Sequence, residues 1–324
     1  MTTAQPAARA GAVLNGIRTR TRERGLPGLA TPAFATVVGI LVAFRLLAVY
    51  PWNEYVFDLH AYWASRFGLD YALEHPGPAG MYLYSPAFAH LISPLTALPL
   101  PIFAAIWTAL GAALLYWMVG RWSIVVGLLP PVALTIAQGQ LDLAFAAVIL
   151  IGFRWPGAWA LPVLTKVTPG LGLVWFAVRR EWRSLAIAAG TTAAVVAVSA
   201  VIDPTSWGGW FGMLARMQFP SAQSGLVLVP IALWLRLPIA AAIVAWGAAR
   251  DHRWALPVGV CLAMPILWLN AFTILVAIMP MLPIAATSPA GRYLRSSARE
   301  PSPGPEVAHP QLRPDHRRTV VPSS

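Results

Sequence analysis

The chain alternates long apolar runs with short polar breaks. The runs fall at roughly 33–50, 100–119, 123–137, 140–153, 157–165, 168–178, 184–202, 237–249, 254–269 and 270–286. Shorter apolar pieces at 86–98 and 225–236 suit re-entrant or interfacial positions. A helix that crosses a bilayer needs about 20 mostly apolar residues. The pattern therefore predicts an all-α polytopic membrane protein built as one bundle. Two breaks interrupt otherwise apolar sequence. One is Gln138-Gly139-Gln140. The other runs from Thr165 to Gly170, where Pro169 and Gly170 both disfavour a continuous helix. The halves are too short to cross alone, so each pair is expected to dip into the bilayer and turn. Such a turn survives only if protein buries it or it lines a wet cavity.

Arginine then assigns sides. Arg121, Arg154, the Arg179/Arg180/Arg183 group and Arg250/Arg253 punctuate the runs and are expected to be cytoplasmic. This gives about ten membrane segments with both termini cytoplasmic. Residues 1–30 form an Arg-rich tail, with Arg18, Arg20, Arg22 and Arg24 in one cluster, and 31–286 form the membrane domain. Residues 287–324 are polar and expected to be a disordered cytoplasmic tail. The run at 33–50 is too long for a signal-peptide core and lacks a small-residue cleavage site, so it reads as the first span. Two loops face outward, at about 51–85 and 203–224. They carry Trp52, Tyr55, Tyr62 and Trp63, and Trp207, Trp210 and Phe211, a density that suits the bilayer interface.

Composition agrees. The chain is 58% hydrophobic and 11% charged, where soluble domains carry about a quarter charged residues. Its net charge of +11 sits on arginines of tails and short loops, which fits anionic lipid headgroups rather than nucleic acid. Cys261 is the only cysteine, so no disulfide, zinc or thiol chemistry follows. Lysine also occurs once. Among 23 Lys and Arg, Lys166 is the sole ammonium, and it lies at the second break. An ionisable residue in a membrane segment marks a candidate functional site.

The topology gathers further polar residues on the outer side. Asp58 and His60 lie in the first outer loop, and Tyr82, Tyr84 and Ser85 end it. Gln138, Gln140 and Asp142 cap the first broken pair, and Asn270 marks the last turn. Asp203, before Pro204, reads first as a turn or cap. If 55–63 is helical, Asp58 and Tyr62 share a face at i, i+4. A carboxylate near apolar surface has a raised pKa and makes a better base. An ammonium nearby can hold a phosphate by charge. One carboxylate and one cation suit transfer from a phosphate-activated donor. The plainer reading of Lys166 makes it a structural partner of Asp142.

At these residues the chain resembles glycosyltransferase family 87. Phe57-Asp-Leu-His-Ala-Tyr-Trp63 is similar to the family's outer-loop motif. Tyr82-Leu-Tyr-Ser-Pro86 is similar to its aromatic-Tyr-Pro-Pro run, Gly139-Gln140 to its Gly-Gln break, and Lys166-Val-Thr-Pro169 to its Lys-x-x-Pro element. Arg179-Arg-Glu-Trp-Arg183 is similar to its basic loop, and the likeness runs over about 30–290. Two positions depart: Ser85-Pro86 replaces a Pro-Pro pair, and Asn270 stands where a histidine is usual. The family comprises polyprenol-phosphate-mannose-dependent mannosyltransferases, including phosphatidylinositol-mannoside enzymes. The resemblance implies a bundle of the GT-C type with its active site on the outer face of the plasma membrane. It implies inverting transfer of a hexose, mannose by expectation, from a polyprenyl-phosphate sugar to a glycolipid or lipoglycan, with no nucleotide sugar and no metal or other cofactor. By carry-over Asp58 would be the general base and Lys166 would bind the donor phosphate. His60, Tyr62, Tyr84, Gln138, Gln140 and Asn270 would complete the substrate contacts.

Two other classes share some of these features. A transporter or lipid flippase also builds its site from broken helices, but no inverted repeat is evident. A non-catalytic scaffold would have no need of Asp58 and Lys166.

Overall fold

The computed structural model describes residues 57–72, 81–216 and 231–297. The expected first span at 33–50, the N-terminal tail and residues 298–324 lie outside the described residues. Every regular element among the described residues is helical. The helices are α1 (Phe57–Ala64), α2 (Pro86–Thr96), α3 (Leu100–Val119), α4 (Ser123–Gly127), α5 (Pro130–Gln138), α6 (Asp142–Gly152), α7 (Ala160–Lys166), α8 (Val174–Val178), α9 (Trp182–Ile202), α10 (Pro204–Arg216), α11 (Leu233–Arg250), α12 (Ala255–Leu262) and α13 (Pro289–Ser297). 3-10 stretches at Pro156–Trp159, Thr168–Leu173 and Leu269–Met281 link several of them.

Among the described residues, three stretches are long and apolar enough to cross a membrane: Leu100–Gly127, Trp182–Ile202 and Leu233–Arg250. A fourth arises if α5 and α6 count as one span; they bend by 105° at their junction. The other expected segments are shorter helices or 3-10 turns. Arg121, expected in a loop, instead sits in a 3-10 turn that carries helix from α3 into α4. The second outer loop is largely the helix α10. Asp203 caps it, accepting from the Ser206 hydroxyl at 2.5 Å, the Ser206 amide at 3.1 Å and the Thr205 hydroxyl at 2.7 Å. These donors hold its carboxyl down at about 2. The polar tail expected from 287 onward opens with the helix α13, because Ala290 and Leu294 bury against α3 and the Leu269–Met281 stretch. One small apolar face is enough to seat a helix whose other faces are polar.

The two sequence breaks are breaks in the fold. Helix α5 ends at Gly139 in the left-handed region (φ +72), a common C-terminal cap. The Trp107 indole donates to the Gly139 carbonyl at 2.8 Å. A Cβ placed on Gly139 would lie 2.6 Å from the Leu59 Cβ, so α1 rests directly on this turn. Helix α7 stops at Lys166, and Val167 follows with φ +55 and ψ −63. A β-branched residue in that region is strained, by about 1–3 kcal/mol. A 3-10 turn resumes directly at Thr168, with Pro169 in its first positions.

Gly139→Ala combines left-handed strain with a contact no side chain tolerates. We expect a loss of about 2–4 kcal/mol, seen as a lower thermal unfolding midpoint in detergent. Gly208→Ala on α10 meets open space and serves as the control. A wild-type midpoint for Gly139→Ala would show that α1 does not depend on this turn.

Candidate active site

A cavity of about 310 Å³ opens between the two breaks, α1, α10 and the segment after α12. Its polar lining comprises Asp58, Tyr84, Gln140, Lys166 and Asn270, with Thr165 and Thr168 beside them. Its walls are apolar and include Leu83, Trp210, Met264, Pro265 and Trp268. Small-molecule sites commonly pair an apolar wall with a few converging polar groups.

The polar side is built around Asp142. This residue starts α6, where the helix dipole favours a carboxylate, and it is 0% exposed. The Asn270 amide donates to Asp142 Oδ2 at 2.6 Å and, by a very short contact, to Gln140 Oε1. Gln140 in turn donates to Gln138 Oε1 at 3.2 Å. Lys166 Nζ stands 3.9 Å from Asp142 Oδ1, an ion pair too long for a hydrogen bond, and Asp142 Oδ1 makes no hydrogen bond. Nζ also lies 5.8 Å from the Phe145 ring. Position at the last turn of α7 suits a cation. Lys166 therefore both pairs with Asp142 and lines the cavity.

Asp58 approaches from the other side. The Tyr62 hydroxyl, wholly buried, donates to the Tyr84 hydroxyl at 3.1 Å, and Tyr84 hydrogen-bonds Asp58. Burial pushes the Asp58 carboxyl up to about 6, with Lys166 opposing and the Asp142 charge adding to the rise. Burial also holds both tyrosines well above their usual range, so they remain donors. Tyr84 is placed by an irregular run at 82–85 whose carbonyls are clamped. The Tyr71 hydroxyl donates to Tyr84 O at 2.7 Å, and the Trp210 indole to Leu83 O at 3.3 Å. The Ser85 amide donates to Leu164 O at 3.3 Å, which ties this run to α7.

Of the expected site residues, the cavity gathers Asp58, Tyr84, Gln140, Lys166 and Asn270. Three stand behind it. Tyr62 supports Tyr84, and Gln138 supports Gln140. His60 packs at 6.1 Å from Trp63, outside the lining, and burial lowers its pKa. From sequence, Asp142 caps the first broken pair and is an alternative partner of Lys166, but it is not among the expected site residues, although one acid in Leu-Asp-Leu-Ala-Phe-Ala-Ala is itself a signal. It passed over Trp268 as a wall residue and did not consider Arg236, which the split into 225–236 and 237–249 put at a segment's edge.

The helical bundle, its membrane-length apolar helices and its charged cavity define a membrane protein with the groups for acid–base and anion chemistry. The chain belongs to glycosyltransferase family 87, whose sequence profile matches residues 82–281, well over half of it. It is a glycosyltransferase. Searches of curated proteins and of solved structures give no match. The matched range holds Lys166, Gln140, Asp142 and Asn270 but begins after Asp58, His60 and Tyr62.

Asn270→Leu should leave the Asp142 carboxylate and the Gln140 carbonyl buried without their donor. The cost is about 1–3 kcal/mol per group, read as a lower unfolding midpoint. Stability equal to wild type would mean that water replaces the amide.

Proposed function

We propose that the enzyme transfers a hexose, mannose by preference, from a polyprenyl-phosphate sugar to a glycolipid or lipoglycan hydroxyl at the extracytoplasmic face of the plasma membrane. The carrying observation is that Asp58 and Lys166, from distant parts of the chain, line one cavity with apolar walls. In this reading the protein is a GT-C-type bundle of about ten membrane segments with both termini cytoplasmic.

Asp58, held by Tyr84, takes the proton of the acceptor hydroxyl as its oxygen bonds to the anomeric carbon. The bond from that carbon to the phosphate oxygen breaks on the opposite face, so configuration inverts. The electron pair leaves with polyprenyl phosphate, whose gathering charge Lys166 meets. Phosphate is a good leaving group and needs no second acid. Lys166 is able to take a phosphate oxygen without leaving Asp142, because the two are 3.9 Å apart and no hydrogen bond between them has to break. Gln140, Tyr84 and Asn270 offer neutral hydrogen bonds to sugar hydroxyls, and the apolar walls suit the first isoprene units.

Two measurements test this with polyprenyl phosphate [14C]mannose and membrane acceptors. Asp58→Asn should lower kcat by about 100-fold or more, and a fully active variant would remove Asp58 as base. Lys166→Met should raise the donor KM by about tenfold or more, the worth of one charge-assisted hydrogen bond. An effect on acceptor KM alone would contradict the phosphate role.

The pH profile gives a separate check. The base works ionised, and its carboxyl is raised to about 6. Activity should therefore fall as pH drops through about 6. Tyr84 lowers that value, so Tyr84→Phe should move the acid limb to higher pH. A limb unmoved by Tyr84→Phe would assign it to another group.

A further inference from the structure

Arg236 is a buried cation in a membrane-length helix, only 5% exposed, and among the described residues no carboxylate pairs with it. It stands in the first turn of α11, where the dipole of its own helix repels a positive charge. Four of its donors instead reach carbonyls. Nε donates to Ile231 O at 2.9 Å, just ahead of α11. Nη1 donates to Leu262 O at 2.7 Å and to Met264 O at 2.8 Å, and Nη2 to Pro265 O at 3.0 Å. Leu262 is the last residue of α12. The guanidinium thus caps the carbonyl end of α12, where the dipole attracts a cation, and holds the irregular chain that follows.

That chain is a cavity wall. Met264, Pro265, Ile266 and Trp268 line the cavity, and two residues later Asn270 binds Asp142 and Gln140. We propose that Arg236 is a positioning residue: it fixes the Met264–Trp268 wall and so sets the shape of the site that receives the lipid phosphate. The ligand half of this inference rests on the function proposed above. A planar five-donor fork serves all four carbonyls at once, whereas a lysine ammonium has three donors on a single nitrogen and leaves at least one carbonyl unserved. Arg236 touches no reacting atom and acts only through the wall.

The test uses the full chain in detergent and two readouts. For the wall, Ile266→Cys in a Cys261→Ala background reports access to a hydrophilic maleimide. Adding Arg236→Lys or Arg236→Gln should raise the labelling rate about tenfold while cooperative unfolding persists, because the freed segment samples open positions at a cost of about 1.4 kcal/mol. An unchanged rate overturns the proposal. Should the Arg236 variants fail to fold, Pro265→Gly loosens the held segment with Arg236 intact. It is expected to give the same rise, and no rise would equally overturn the proposal.

For the ligand, equilibrium binding of farnesyl phosphate to the folded fraction should weaken about tenfold in Arg236→Lys, an effect that mere loss of stability would not produce. Wild-type affinity in that variant, alongside faster labelling, overturns the ligand half alone. Lys166→Met is the comparison. If it leaves farnesyl phosphate binding unchanged, the phosphate-site reading fails while the labelling result still decides the wall.

Discussion

A helix that stops inside a packed apolar bundle must find partners for its last carbonyls, because apolar side chains offer none. This chain stops three times around one cavity, and each stop has its own solution. At Gly139 a left-handed turn folds the end of α5 on itself, and Trp107 donates to the exposed carbonyl. At Lys166 the helix ends in a strained Val167, and a 3-10 turn resumes at Thr168. At Leu262 an arginine from the preceding helix, α11, supplies the donors. The cavity is the space these three ends leave between them. Its polar residues come from two of these breaks, from α1, from the run at 82–85 and from Asn270, and its apolar walls from α10 and the irregular chain after α12.

The same constraint explains the charges. Asp142 is buried where α6 begins, so the dipole, Asn270 and Lys166 share its cost. A buried pair adds little net stability and is expensive to break. Its use lies elsewhere. An ammonium 3.9 Å from its counter-ion stays local and is still able to turn toward another anion. The two readings of Lys166, structural partner or phosphate ligand, thus describe one arrangement in two states of occupancy. The second state is the proposed one.

The sequence displayed the breaks and the residues at them plainly. Pro169, Gly170 and Gly139 are local signals, and a lone lysine in apolar sequence stands out without any structure. Asp58 was legible through its position ahead of Tyr62 and Tyr84, whose hydroxyls now form its support. Depth was not legible. Tyr62, Gln138 and His60 lie in the same motifs as the lining residues, and only packing decides that Tyr62 is sealed behind Tyr84. Segment ends were also hidden. Arg236 fell at the edge between the runs 225–236 and 237–249, yet the helix begins at Leu233 and continues through Pro238. Helix α13 was missed because a polar composition conceals a face as small as Ala290 and Leu294.

Asn270 is where the local chemistry departs from the family resemblance, and its geometry gives the departure a consequence. A histidine there would add a titrating group beside Asp142. The amide donates to both Gln140 and Asp142 and titrates nowhere in the accessible range. Among the described residues, the carboxyl and ammonium groups lining or flooring the cavity are then Asp58, Asp142 and Lys166. Two of these already pair with each other. Asp58 has the Tyr84 hydroxyl as its hydrogen-bonding neighbour among the described residues and, in the proposed mechanism, is the group whose charge state follows the reaction. In the proposed mechanism a proton arrives at that carboxylate on every turnover. A neutral amide at 270 keeps that proton from being shared with the opposite side of the cavity.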